Sequence, residues 1–414
     1  MAVDKNLFPY DLAVATIFKN EARYLKEWLD YHLLAGVDHF FLYDNESSDD
    51  YKKILAPYVA AGLVTNKYFP GKKMQMAAYN DAVQNFRFTC RYIAFIDLDE
   101  FIFPKNTTDT ISARLDEILS RDENAAGLAI HWQCFGSNGH DKADYSRGVL
   151  ERFTRRAEKN FAVETEKTSA SEPNRGVGNI FFKSVMNPRR IRNINLHFAR
   201  CFEGNYTIDE NGTHAPLAFG ISPVAAEKIV INHYFTKSRE EFKIKHARGR
   251  AYSGGKWPEN HFNLYDRNEI FDDGILKYRA VRAEKFSLED AAKKFSRVTE
   301  TLTTILADCA GGKIFDLETA LTCRAVAHAL NLKVHEEASL AAILKSFGEL
   351  KFFEVQLLRS ELPNLLSLPY PAAEEIRRAS IKIFSQTAEL LRQKNLWKEF
   401  SDWNYLCRLL QAWR

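Results

Sequence analysis

Three carboxylates lie within four residues of the stretch YIAFIDLDEFIFP (residues 92–104): Asp97, Asp99 and Glu100. The apolar residues on both sides are typical of a buried β-strand. Charges in such a strand must be compensated by a cation or by hydrogen bonds. Side chains two residues apart on an extended chain point to the same side. Asp97 and Asp99 are therefore predicted to bind one hard divalent cation, Mg²⁺ or Mn²⁺.

A cation held in this way can bridge a diphosphate and neutralise its charge as it leaves. The same Asp-x-Asp spacing is also common in turns that bind nothing. The apolar flanks favour the metal-binding interpretation here. Glu100 points away from Asp99 on an extended strand and ranks below the two aspartates.

The elements that position this cluster alternate between strand and helix patterns. LAVATIF, HFFLYD and LVTNKYF are strand-like, and the segments between them carry apolar residues at helical spacing. YIAFIDLDEFIF is predicted as a fourth strand. This alternation predicts βαβ units, and so an α/β fold with a mostly parallel sheet.

Polar residues follow three of the predicted strands: Asn20 and Glu21, then Asp44 and Asn45, then residues 97–100. Each group by itself also suits a turn. In parallel sheets, however, ligands bind at the carboxyl ends of the strands. Three polar groups at one edge therefore favour a nucleotide site.

Length and composition set outer limits on the function. A chain of 414 residues exceeds one ordinary core, so we expect an α/β domain over residues 1–275 and a helical domain over residues 276–414. A net charge of only +3 argues against an extended nucleic-acid surface. The six cysteines form no C-x-x-C pair, and the amino-terminal segment does not resemble a signal peptide. A cytoplasmic location is expected.

Several stretches together resemble a known family. VATIFKNEARYLKEWLDYHLLAGVDHFFLYDNESSDD, with YIAFIDLDEFIFP, is similar to the opening of a GT-A type glycosyltransferase, in particular family 92 and bacterial enzymes related to family 2. QMAAYNDAV, IHWQCFGSNGH, KSVMNPRRIRNINLHF and INHYFTKSREEFKIKHARGRA resemble the same family. The resemblance covers roughly residues 10–255. It implies a GT-A catalytic domain, a nucleotide-sugar donor (usually a UDP-sugar) and transfer with inversion.

The resemblance also implies roles for individual residues. Asp97 and Asp99 match the motif that carries the metal and the donor diphosphate, and His233 matches a late histidine that completes the metal shell. A satisfied core histidine is the alternative for His233. Arg239 is expected to face the phosphates. The implied donor-binding residues are Asn20, Glu21, Asp44, Asn45, Asp97 and Lys237.

The stretch GKKMQMAAYNDAV places Lys73, Gln75 and Asn80 before and within the third predicted helix. A helix amino terminus is a natural site for phosphate, so these residues are added to the donor-binding set. A solvated helix cap is an equally good interpretation.

Inverting transfer needs a general base that takes the proton from the acceptor hydroxyl. HWQCFGSNGHDKADY offers Asp141 for this role, with Trp132 and His140 as contacts to the acceptor sugar. A solvated surface loop is the alternative. The basic run KSVMNPRRIRN can meet phosphate or an anionic membrane, but a solvated basic edge is favoured.

The sequence therefore predicts a metal-dependent hexosyltransferase that acts on a glycan or glycolipid, in bacterial lipopolysaccharide or surface polysaccharide synthesis. A carboxy-terminal run of aromatic and basic residues suggests peripheral contact with the inner face of the membrane, but a helix that packs on its own domain is favoured. Two other functions stay open: a non-catalytic carbohydrate-binding or scaffold protein, and a nucleotidyltransferase. The absence of glycine from FKNEARYL argues against the nucleotidyltransferase.

Overall fold

The computed structural model describes residues 3–163, 177–253, 255, 260–285, 288–348, 350–368, 372–394 and 396–412. The chain divides into two compact units. One comprises Tyr10–Cys201 and Asn205–Leu288, and the other comprises Met1–Pro9, Phe202–Gly204 and Glu289–Arg414.

The first unit is an α/β domain. Its strands are β1 (Tyr10–Phe18), β2 (His39–Asp44), β3 (Val64–Tyr68), β4 (Cys90–Phe95), β5 (Glu100–Pro104), β6 (Ala125–Cys134), β7 (Arg155–Arg156), β8 (Ala162–Val163), β9 (Val177–Gly178), β10 (Phe182–Met186), β11 (Ile191–Ile194), β12 (Ala199–Cys201), β13 (Tyr206–Ile208), β14 (Ile229–His233) and β15 (Ile270–Phe271). Its helices are α1 (Ala22–Leu34), α2 (Tyr51–Ala60), α3 (Gln75–Phe86), α4 (Ile111–Leu119), α5 (Val149–Arg152), α6 (Arg239–Arg248), α7 (His261–Tyr265) and α8 (Gly274–Lys285).

Nine of these strands form one sheet in the order β3-β2-β1-β4-β10-β6-β14-β5, with β13 paired to β6. Neighbours from β3 to β4 are parallel, as are β6–β14 and β6–β13. Only the β4–β10, β10–β6 and β14–β5 pairs of this sheet are antiparallel. The predicted α/β class with a mostly parallel sheet is confirmed.

The predicted fourth strand is in fact two strands. β4 ends at Phe95, β5 begins at Glu100, and the two lie at different positions in the sheet. The chain turns between them, with the amide of Glu100 donating to the carbonyl of Asp97 at 3.0 Å. The prediction that Asp97 and Asp99 share one side of an extended strand was therefore wrong, because both lie in this turn.

Helix α1 holds the start of β5 in place. Its predicted apolar face is buried, and the indole of Trp28 donates to the carbonyl of Glu100 at 2.9 Å. Two residues along β5, the carbonyl of Ile102 accepts from the hydroxyl of Tyr31 at 2.8 Å. The carboxylate turn is thus anchored from behind by a buried helix.

The second unit is helical. Its helices are α9 (Leu288–Ala310), α10 (Leu317–Ala329), α11 (Lys333–Ser346), α12 (Phe352–Leu366), α13 (Ala372–Gln393) and α14 (Trp397–Ala412), and a short 3₁₀ turn covers Lys5–Leu7. In α14, the ring of Trp403 packs on Phe384 of α13 at 5.1 Å between centroids. This face of the carboxy-terminal helix therefore packs within its own unit. In the described part of the chain, no helix has the length and apolar character to cross a membrane.

Candidate active site at the carboxyl edge of the sheet

The carboxylate of Asp97 has three side-chain partners among the described residues. Its Oδ1 accepts from the amide of Gln75 at 2.6 Å and from the hydroxyl of Tyr79 at 3.0 Å. Its Oδ2 lies 2.9 Å from the ammonium of Lys183, whereas Glu100 lies 3.6 Å from the same ammonium. Burial favours a lower pKa for Lys183, but the two carboxylates raise that pKa well above its ordinary value. Lys183 is therefore a charged partner of Asp97.

The basic run around Lys183 is only in part the solvated edge that the sequence had favoured, because Arg192 is exposed but two other members are buried. Lys183 and Arg189 are both 2% exposed. The guanidinium of Arg189 donates to the backbone carbonyls of Arg87 and Cys90. One residue of the run thus belongs to the carboxylate site and another to the core.

Asp99 contacts a different cation. Its Oδ2 accepts from the ammonium of Lys245 at 2.5 Å, and its Oδ1 lies 3.7 Å from Nε2 of His233. Burial alone would raise the pKa of Asp99, but Lys245, His233 and Lys237 hold it well below its usual range. Asp99 is therefore a buried carboxylate that stays ionised.

His233 is a neutral imidazole. Burial lowers its pKa to about 3, and its Nδ1 has no hydrogen-bond partner among the described residues. The ring of Trp132 packs on it, with 4.1 Å between centroids. His233 is thus held by packing rather than by hydrogen bonds, and it differs from the satisfied core histidine that was its alternative interpretation.

The chemistry of Asp99 and His233 fits a divalent cation. Carboxylate oxygen and neutral imidazole nitrogen are both ligands of Mn²⁺, and Mg²⁺ and Mn²⁺ complete their shells with water and substrate phosphates. No cluster of three or more acidic, His or Cys ligands exists within the described ranges. Asp97 is the weaker candidate ligand, since its oxygens are shared among Gln75, Tyr79 and Lys183.

Lys237 places a further cation beside Asp99. Its side chain is buried, at 6% exposure, and its ammonium lies 4.5 Å from the centre of the Tyr24 ring. Its backbone has φ +49°, which is unusual for a residue other than glycine. Within the described chain, this lysine has no carboxylate within 4 Å, so its charge is available to a ligand.

The loops that follow β1 and β2 are tied together. Oδ1 of Asn20 accepts from the amide of Ser48 at 2.7 Å, and Asp44 accepts from the hydroxyl of Tyr51 at 2.7 Å. Asn45 donates to the carbonyl of Phe69, after β3. The predicted donor residues of these loops thus lie along one edge, where their side chains also stabilise the loops.

The remaining predicted donor residues have different surroundings. Glu21 pairs with Arg248 of α6 at 2.5 Å. Lys73 is exposed and has φ +60°. Gln75 reaches Asp97, whereas Asn80 bonds the backbone of Ile194 in both directions, at 2.9 Å each. Asn80 therefore links α3 to β11.

Strained backbone is concentrated at this edge. Six described residues other than glycine have positive φ, and five of them lie in loops that follow strands of the sheet: Asn20, Glu46, Lys73, Asn138 and Lys237. Such strain persists only where surrounding structure imposes it, and it often marks functional sites. Its distribution favours the carboxyl edge of the sheet as the candidate functional site.

The predicted acceptor residues lie in and beside the loop after β6. The carbonyls of His140 and Asp141 accept from the first amides of α6, at 3.1 and 3.0 Å. The carboxylate of Asp141 is 82% exposed and lies 3.4 Å from Arg239. Trp132, by contrast, is only 7% exposed. The loop thus carries solvent-accessible candidates, whereas Trp132 belongs to the wall behind His233.

Sequence reasoning missed Lys245 and Arg248, and it placed Lys183 on the surface. Lys245 and Arg248 are three residues apart on α6, so they lie on one helix face. Together they reach Asp99 and Glu21. The only signal in the sequence was a run of basic residues that follows the candidate His233.

The sequence matches the family model of Glycosyltransferase family 92 over residues 9–270. It is 28% identical over 296 residues to a glycosyltransferase family 92 protein of Ricinus communis. The aligned residues are 71% of this chain and 46% of that protein. A family 92 protein of Oryza sativa subsp. japonica is 32% identical over 150 residues, 35% of this chain and 24% of that protein. A galactan beta-1,4-galactosyltransferase of Arabidopsis thaliana is 28% identical over 103 residues, 22% of this chain and 21% of that protein. The chain spans less than half the length of these curated relatives.

Proposed function

The chain belongs to glycosyltransferase family 92, and from this we propose that it transfers a hexose from a nucleotide sugar, a UDP-sugar, to a hydroxyl of a glycan with inversion. The observation that carries the proposal is the pair of Asp99 and His233 at the carboxyl edge, 3.7 Å apart. Open α/β sheets bind nucleotides at this edge. Two cations lie beside the pair, the buried Lys237 and the partly buried Lys245.

Asp99 and His233 would hold Mn²⁺ or Mg²⁺, which supplies charge neutralisation to the departing diphosphate. Lys237, oriented by the face of Tyr24, contributes a fixed positive charge for the donor phosphates. Fixed charges in a site that excludes water stabilise developing negative charge without further reorganisation. Burial around Asp99 supplies that environment.

Asp141 is the proposed general base. Its carboxylate takes the proton from the acceptor hydroxyl as that oxygen attacks the anomeric carbon. The high exposure of Asp141 leaves room for a large acceptor, and Arg239 orients the carboxylate at 3.4 Å. His140, in the same loop, is the proposed contact to the acceptor sugar.

Calorimetry of UDP binding tests the proposal. We expect wild-type protein to bind UDP more tightly with Mn²⁺ than without it. Asp99→Asn should abolish this dependence, and the exposed control Asp50→Asn should retain it. Equal UDP binding in every case would refute the metal role alone, whereas no nucleotide binding at all would refute the transferase.

A second candidate, a non-catalytic carbohydrate-binding protein, is favoured by one observation. Both aspartates already have ammonium partners, the buried Lys183 and the partly buried Lys245, so their charges are compensated without a metal. Glycan binding without any UDP binding would support this candidate.

The acceptor and the location are also proposals. Synthesis of a bacterial surface polysaccharide or lipopolysaccharide, at the inner face of the membrane, stays a prediction from the sequence. The matched relatives are plant proteins, and one is named as a galactan galactosyltransferase. Transfer of labelled galactose from UDP-galactose to galactan, compared with lipopolysaccharide, tests the acceptor, and cell fractionation tests the location.

A further inference from the structure

A separate cavity of about 100 Å³ opens in the α/β unit. It is large enough for a group bigger than one water molecule, whose share of liquid volume is about 30 Å³. The polar residues of its lining that matter here are Lys105, Trp132, Gln133, Arg156, Lys159 and Glu227.

Lys105, directly after β5, supplies an uncompensated cation to this cavity. Its ammonium has one long hydrogen bond, 3.3 Å to the amide oxygen of Gln133, and no carboxylate of the described chain lies within 4 Å of it. Burial lowers the pKa of Lys105, as expected for an ammonium that lacks a close counter-ion. Two of its three N–H donors are therefore left for a ligand.

Trp132 also lines the cavity, and its indole N–H is a second donor without a partner among the residues described. The residue is 7% exposed. An indole nitrogen can only donate, and buried polar groups normally have partners. The missing partner must be an acceptor.

The other charged groups of the lining are already paired. Arg156 lies 2.7 Å from Asp272, and Lys159 lies 2.5 Å from Glu227 near the surface. The unsatisfied groups are thus a lysine ammonium and an indole N–H, so the cavity has a net demand for negative charge.

We propose that this cavity binds an anionic group, a carboxylate or a phosphate, carried by the acceptor glycan. Trp132 connects it to the candidate active site, since the same ring packs on His233 at 4.1 Å. The anion chemistry follows from the cavity alone, whereas its assignment to the acceptor rests on the proposed function. An acceptor with a uronic acid or a phosphorylated sugar would satisfy Lys105 and Trp132 together.

Calorimetry at constant ionic strength tests this site on the whole chain without donor, with inorganic phosphate, sodium glucuronate and neutral glucose as probes. We expect one or both anions to bind, and glucose not to bind. Lys105→Met keeps the aliphatic stem but removes the charge, and it should weaken anion binding about tenfold or more, as for loss of a charged hydrogen bond. Lys243→Met, on the exposed side of α6, is the matched control and should bind as wild type does.

The two anions separate the sources: glucuronate binding indicates an acidic sugar, and phosphate binding a phosphorylated one. If phosphate binding is lost in Lys237→Asn but kept in Lys105→Met, the phosphate occupies the donor site. That result would overturn a phosphate role for the cavity. The proposal is overturned if neither phosphate nor glucuronate binds, or if both bind Lys105→Met as tightly as wild type. As a control for misfolding, Lys105→Gln should show the same loss of anion binding, and both variants should have the circular dichroism spectrum of wild type. UDP binding, measured separately, shows whether the proposed transferase function stands.

Discussion

The ammonium of Lys245 lies 2.5 Å from Oδ2 of Asp99, while Nε2 of His233 lies 3.7 Å from Oδ1 of the same carboxylate. One buried anion thus has a protein cation on one oxygen and a neutral metal-type ligand beside the other. A divalent cation bound between Asp99 and His233 would be repelled by Lys245. Lys245 and the proposed metal would therefore compete for Asp99.

Replacing Lys245 by methionine should strengthen Mn²⁺ binding. A single and a double charge about 4 Å apart repel by about 2 kcal/mol even in water, so we expect an affinity gain of about tenfold or more. Free Mn²⁺ measured by electron paramagnetic resonance gives the binding constant, with Lys243→Met as control. An affinity equal to or below wild type would contradict the competition.

Lys183→Met should destabilise the α/β unit. It leaves the carboxylates of Asp97 and Glu100 without their nearest cation, and removing one partner of a buried pair costs about 3–5 kcal/mol. The double variant Lys183→Met, Asp97→Asn should recover part of that loss, because the carboxylate that lies closest to the Lys183 ammonium is then neutral. Urea denaturation followed by tryptophan fluorescence measures both, and a single variant as stable as wild type would refute this account.

Lys237→Asn should weaken UDP binding and leave stability nearly unchanged. Asparagine tolerates the left-handed backbone found at residue 237, so the ammonium is removed without straining the loop. Loss of one charged contact to phosphate should lower affinity about tenfold or more. Calorimetry with UDP measures this loss, and an unchanged dissociation constant would exclude Lys237 from the donor site.

Acid should weaken the buried pair of Glu241 and Arg152, which lie 2.8 Å apart. Burial opposes ionisation of Glu241, but hydrogen bonds from Arg152 and Ser238 lower its pKa from 4.5 to about 2. The stabilisation is therefore complete above about pH 4.5 and is lost as the pH falls toward 2. At pH 7, the free energy of unfolding of wild type should be higher than that of Glu241→Gln by about 3 kcal/mol, which is the equivalent of that pKa shift.

Unfolding free energies of both proteins between pH 7 and pH 3 test this behaviour, with exposed Glu123→Gln as control. The difference between wild type and Glu241→Gln should shrink as the pH falls. A difference that is constant with pH would show that Glu241 stabilises the fold by packing rather than by its charge.

Asp141→Asn should reduce turnover by about 10²–10⁴, the usual contribution of a general base. UDP binding should be unchanged, because the side chain of Asp141 is 82% exposed and Arg239 is its only ion-pair partner among the described residues. Initial rates with saturating donor measure the loss. Turnover within about threefold of wild type would exclude Asp141 as the base, since that lies well below the usual contribution.

The local pattern of the sequence was sufficient to predict much of the fold of this protein. The alternation of strands and helices predicted the α/β sheet, and the helical spacing of apolar residues after the first strand predicted the buried face of α1. Polar residues after successive strands predicted which edge carries Asn20, Asp44 and Asp97. These features follow from the sequence because the period of side chains along a strand or a helix decides which of them are buried.

Only the tertiary structure decided what compensates the carboxylates. The partner of Asp97 comes from β10, 86 residues away, and the partner of Asp99 comes from α6, 146 residues away. The turn between β4 and β5 was hidden as well, because an apolar run on both sides of Asp97 and Asp99 has the same pattern whether or not the chain turns. A sequence shows that a buried charge needs a partner, but only packing between distant elements decides which residue supplies it.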